Sequence, residues 1–121
     1  MDLHTRTRTS LTKGELAEIF DRIETLNYKG FRIRTVKHDG QLWIVFADIC
    51  KALGYRNPAH ESKRLDSEEK CKLDIGLKNT LALCINRDGL YTFLLFSGKT
   101  EVAEFREWAS KKVFDHNLGG I

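Results

Sequence analysis

The residue types able to do chemistry are few in this sequence, and their spacing is wrong for most of it. Cys50, Cys71 and Cys84 form no C-x-x-C pair, and His4, His38, His60 and His116 lie far from one another and from the cysteines. Metal sites draw ligands in close pairs from one turn or strand, so neither a metal nor a cofactor is expected. Three cysteines also make a poor disulfide framework. The chain has no phosphate-cradling glycine loop, no nucleophile elbow, no H-E-x-x-H and no paired carboxylates. Asp66, Glu68 and Glu69 gather beside Lys70, the composition of a solvated corner. Catalysis is therefore not expected, and binding is.

Charge is the better guide to what is bound. The 121 residues carry a formal net charge of only +3, but its distribution is uneven. Residues 31–65 hold seven basic side chains against three acidic ones, a local net charge of +4. Arg32, Arg34, Lys51, Arg56, Lys63 and Arg64 are the candidate contacts for nucleic acid or an acidic protein partner. The longest apolar run, Leu42 to Ala47, is far too short to cross a bilayer. Met1-Asp2-Leu3-His4 does not open a signal peptide. No membrane partner and an intracellular setting are expected.

The elements that must position these cations read as a single α+β domain. Residues 1–10 read as a flexible arm and 11–29 as an amphipathic helix. Thr12 and Glu15 form a capping box, and Leu11 and Leu16 a hydrophobic staple. Leu16, Ile19, Phe20, Ile23 and Leu26 follow at helical spacing, and Asn27 and Gly30 mark the end. Such a stripe has to be buried, and it is a candidate homodimer contact as well as a candidate for docking on its own domain.

A strand from Phe31, an Asp39-Gly40 turn and a strand from Leu42 make a β-hairpin. A short helix from about Asp48 stops at Gly54, and Asn57-Pro58 starts another. Strands are predicted over about 71–75 and 80–85. The run Leu90 to Phe96 fits helix or strand, and a last helix spans about 100–114.

Three blocks carry a family resemblance. Asp39-Gly40-x-x-Trp43-x-x-Phe46-x-Asp48-Ile49-Cys50-x-Ala52-Leu53-Gly54-Tyr55-x-Asn57-Pro58 is the first. Ile85-Asn86-x-x-Gly89-Leu90-Tyr91-x-x-Leu94-x-x-Ser97-x-Lys99 is the second, and Ala103-x-Phe105-Arg106-x-Trp108 the third. Together they resemble the BRO-N domain, the N-terminal domain of phage antirepressors and baculovirus BRO proteins. The resemblance implies a BRO-N-like α+β domain over 31–121, preceded by the additional N-terminal helix. Trp43, Phe46, Leu53, Leu90, Phe105 and Trp108 are the right types for its core. Gly54 and Gly89 are expected at positive φ, and Asp48 as an acid in the first turn of a helix.

The resemblance also implies a function: a phage or prophage antirepressor that binds a lysogeny repressor protein in the cytoplasm of a bacterial host and relieves its repression of transcription. The alternative is a regulatory domain that binds DNA directly through residues 31–65. This chain departs from the family pattern at Phe114-Asp115, where many members carry Leu-Pro. It is expected to lack the C-terminal domain of longer antirepressors.

Overall fold

The computed structural model describes residues 22–115. Five strands form one antiparallel sheet: β1 (Ile23–Tyr28), β2 (Phe31–His38), β3 (Gln41–Val45), β4 (Lys70–Leu73) and β5 (Ala82–Ile85), in the order β1-β2-β3-β5-β4. Helices α1 (Phe46–Leu53) and α2 (Pro58–Glu61) lie between β3 and β4. After β5 come α3 (Arg87–Phe96) and α4 (Val102–Trp108), which runs on as a π-helical segment, Ala109–Asp115. The α+β expectation holds, and the ambiguous run at Leu90 is helix.

Two hairpins build half of the sheet. At the expected turn, Asp39 and Gly40 take φ of 56° and 75°, the left-handed pair that matches strand twist. A second turn, at Lys29 and Gly30 (φ 51° and 89°), joins β1 to β2. This corrects the last part of the helix predicted over 11–29, since residues 23–28 are an edge strand; residues 11–21 lie outside the described residues. Asn27 and Gly30 have the composition of a helix end, but the Asn27 side-chain oxygen accepts from the Gly30 amide at 3.0 Å and shapes a hairpin instead. Pairing with β2 gives Ile23 to Tyr28 a full ladder, which outweighs local helical spacing. Ile23 and Leu26, expected on a self-association stripe, pack within the chain on opposite faces of the sheet. Leu16, Ile19 and Phe20, with the arm of residues 1–10, lie outside the described residues.

The two faces carry different cores. One face holds Ile33, Ile44 and Ile85, on which the helices lay Phe46, Ile49, Leu53, Leu90, Phe93 and Phe105. Phe46 and Phe93 meet edge to face at 5.0 Å, as do Tyr28 and Phe105 at 4.9 Å. The opposite face buries Val36, Trp43, Val45 and Cys84 with Leu73, Ile75 and Ala82. The six expected core residues thus divide. Trp43 lies on this second face, where its indole N–H donates to the His38 carbonyl at 3.1 Å. Trp108 is only half-buried, against the first core.

Glycine matters at two of the expected positions, for different reasons. Gly54 stands at φ 83° and ends α1. Gly89 is not at positive φ, contrary to expectation. It sits in the first turn of α3, where a Cβ would lie 2.6 Å from the Glu69 carbonyl oxygen. That contact is locked, because the Asn86 amide donates to the same carbonyl at 3.1 Å and the Asn86 side chain donates to the Glu68 carbonyl at 3.0 Å. Gly89→Ala should therefore cost about 1–3 kcal/mol through overpacking. Urea unfolding measures it, and an unchanged midpoint would show that α3 does not press on the β4 entry.

Candidate binding ridge

The chain passes from β3 into α1 without a loop, and one ion pair fixes that junction. The β2–β3 pairing ends at Thr35 opposite Ile44, one position short of Arg34 and Val45, the last residue of β3. There the Arg34 amide turns to the Asp48 carboxylate, with Oδ2 accepting at 2.9 Å. The same oxygen accepts from the Arg34 Nε at 2.9 Å, and Oδ1 accepts from Nη2 at 2.9 Å. Asp48 is 7% exposed at its side chain and Arg34 19%. The hydrogen bonds that the Arg34 guanidinium donates to Asp48 hold it above its ordinary pKa against partial burial. Asp48 is thus more than a first-turn helix acid. Arg34, expected as an exposed contact, is committed to the fold.

α1 then delivers the chain to a corner. The Gly54 amide donates to the Lys51 carbonyl at 3.3 Å and the Tyr55 amide to the Cys50 carbonyl at 2.8 Å, the Schellman pattern. Asn57 starts α2 as expected, accepting from the His60 amide at 3.1 Å with Pro58 behind it. The half-buried Tyr55 ring packs against Phe93 at 5.3 Å, and its hydroxyl hydrogen-bonds the Ser97 hydroxyl. Lys99 Nζ lies 5.0 Å from the centre of that ring. From the other side of the corner, Arg64 Nη1 donates to the Phe96 carbonyl at 3.2 Å and satisfies one of the last carbonyls of α3.

These contacts make one ridge from two distant stretches of sequence. The corner supplies Arg56, Lys63 and Arg64, and the end of α3 supplies Leu95, Phe96 and Lys99. All six are exposed, with Leu95 78% and Phe96 59% accessible. Lys51, exposed in the last turn of α1, adds a cation on the approach. Among the described residues no carboxylate pairs with Lys51, Arg56, Lys63, Arg64 or Lys99. Arg32 is exposed but stands near the Lys29-Gly30 turn, which Lys29 ties to Glu104 of α4 at 2.6 Å.

Sequence reasoning missed Leu95, Phe96 and Lys99. A signal for the first two was present: with Leu90, Phe93 and Leu94 at helical spacing facing inward, the next two apolar residues must face out.

The cysteines are inert by position. Burial pushes the Cys50 and Cys84 thiols from 9.0 up to about 12, and it also raises Cys71. Among the described residues no group of three or more His, Cys, Asp or Glu is placed to hold a metal ion. Nor is any helix there long and apolar enough to cross a membrane.

The family model described as "BRO family, N-terminal domain" matches residues 32–115, from the start of β2 to the end of the π-helical segment. No curated protein and no solved structure matches the chain.

Two outcomes follow from this geometry. Asp48→Ala strands a part-buried guanidinium and a strand amide, and should cost about 3 kcal/mol, the low end for a broken buried pair. Asp48→Asn keeps an acceptor for the Arg34 amide and should cost measurably less. Equal losses in urea unfolding would mean that the backbone bond contributes nothing. For the thiols, the folded state keeps protons on Cys50 and Cys84 that the unfolded chain gives up near pH 9. Stability should therefore be fully present below that pH and fall as pH rises from about 9 towards 12. Unfolding followed across that window in wild type and Cys50→Ala checks it, with the smaller alkaline loss expected in the variant.

Proposed function

The chain belongs to the BRO family by its N-terminal domain, a regulator of the antirepressor or DNA-binding kind, and from that premise we propose that it is an antirepressor that binds a repressor protein. It acts by occupancy rather than catalysis, in the cytoplasm of a bacterial host, and relieves repression of transcription. The observation that carries this reading is the pair Leu95 and Phe96, exposed on a helix end, with Arg64 bound to the Phe96 carbonyl and Lys99 three residues on, over the Tyr55 ring.

An apolar centre with an arginine-rich rim has the anatomy of a protein–protein contact, where aromatic and Arg side chains carry most of the energy. A surface built only for phosphates gains little from an exposed leucine. The same cations favour acidic partners, and they raise the association rate more than the final affinity.

Direct DNA binding is the second reading. It is favoured by one observation: among the described residues no carboxylate pairs with the four ridge cations or with Lys51 beside them. The two readings separate by salt. Phosphate contacts make log K fall with log salt by about 0.9 per contact, whereas an apolar contact responds much less.

The test is co-purification of tagged protein from a lysogen, with a repressor-controlled reporter read in the same cells. Wild type should bring down the repressor and switch the reporter on. A Leu95→Ser, Phe96→Ser double variant should lose both, with its unfolding midpoint kept. Retention of repressor and reporter activity by that variant would overturn the reading. Recovery of nuclease-sensitive DNA alone, lost on charge reversal at Arg56 and Arg64, would establish the second.

A further inference from the structure

A cleft of about 500 Å³ lies between α3 and the α4–π segment, apart from the ridge just described. Arg87 and Tyr91 line it from α3, and Arg106, Glu107, Ser110 and Lys111 from the opposite wall. Its electrostatics are unbalanced. Lys111 is paired with Glu107 at 3.0 Å. Arg87 and Arg106 have no carboxylate partner among the described residues, and both crowd the same ring, each with its guanidinium carbon 5.8 Å from the centre of Tyr91. Arg87 also lies 6.0 Å from the centre of Phe114, which packs against Tyr91 at 6.1 Å.

Two like charges brought to one ring repel, and cation–π attraction offsets only part of that cost. What the ring contributes is order. It holds two planar guanidinium forks in place without consuming their N–H donors, which suit bidentate contact with phosphate oxygens. The Ser110 hydroxyl adds a donor on the far wall. Ser110 and Lys111 stand in the π-helical part of that wall, a conformation uncommon in regular folds and frequent at functional sites.

The size of the cleft decides between a bare anion and a larger ligand. A lone phosphate would leave most of 500 Å³ empty, whereas organic ligands occupy clefts of about 300–1,000 Å³. With one aromatic ring, Tyr91, in its lining and two guanidiniums ordered on that ring, we propose that this cleft binds a nucleoside monophosphate. Its phosphate lies between Arg87 and Arg106 and its base against the Tyr91 side of the cleft. The site is independent of the repressor-binding reading, because none of its residues belongs to the ridge.

Isothermal titration of the full chain tests it, with adenosine and guanosine monophosphates, the matching nucleosides, inorganic phosphate and an unphosphorylated oligothymidine as probes. At least one monophosphate should bind at least about tenfold tighter than its nucleoside and than inorganic phosphate. Arg87→Ala and Arg106→Ala should each weaken it by about tenfold or more, the loss of a charge-assisted bidentate contact. Tyr91→Phe should keep affinity, and so should Lys112→Ala, outside the cleft. Thermal unfolding of each variant separates lost binding from lost fold. Equal affinity for phosphate and monophosphate, or unchanged affinity in both arginine variants, would overturn the proposal. So would binding of the oligothymidine with no monophosphate bound at millimolar concentration.

Discussion

The start of α1, and with it the corner that carries Arg56, Lys63 and Arg64, is positioned by the salt bridge between Arg34 and Asp48. A strand that turns directly into a helix leaves its neighbour's backbone unpaired at the junction, and a buried amide without a partner is costly. Asp48 resolves this by accepting from the Arg34 amide with the same oxygen that holds the Arg34 side chain. The helix start is thereby fixed to the sheet in both position and direction. From there α1 can run only to Gly54, and the corner that follows carries the ridge cations. The pair also explains why a charged residue is acceptable on an inner strand: its charge is neutralised where it enters the protein, and it is hydrogen-bonded on both partners.

The features legible in the sequence were those set by short-range stereochemistry. Asp39-Gly40, Gly54 and Asn57-Pro58 each demand a backbone conformation that few other residues adopt, and each appears where the sequence places it. The failures came where tertiary partners outvote local signals. Asn27 and Gly30 end a strand as readily as a helix, and only β2, reached after the turn, decides which. Gly89 was read for its backbone freedom, but the constraint is the Glu69 carbonyl, twenty residues away and invisible in any local window. Arg34 reads as an exposed contact and Asp48 as a first-turn helix acid, because fourteen residues separate them. The site was half legible: Arg56, Lys63 and Arg64 were named, while their neighbours from the end of α3 required the fold.

Counting charge along the chain, then, was a weaker guide than asking which charges remain unpaired. The segment 31–65 carries +4, but Arg34 and Asp48 cancel inside the fold and Arg32 stands near the other hairpin turn. What survives is a smaller set of cations drawn partly from outside the segment, Lys99 among them. Mean charge density describes long-range attraction. The contact surface is defined by burial and by hydrogen bonds.

α3 joins the two surfaces that this accounting leaves. Arg87 stands at its first residue and Phe96 at its last, about 13 Å apart along the axis at 1.5 Å per residue. The helix between them is held firmly against the sheet. Glu69 Oε2 accepts from the Thr92 hydroxyl at 2.7 Å, Asn86 caps the Gly89 amide at 2.8 Å, and Leu90, Phe93 and Leu94 are buried. A helix so fixed cannot pivot to favour one end over the other. Occupancy of the cleft would have to reach the ridge through the groups around Phe93, where Tyr55 rests on the ring and carries Ser97 and Lys99 with it. The two ends therefore behave as separate surfaces on one rigid support, unless a ligand shifts the packing of Phe93 itself.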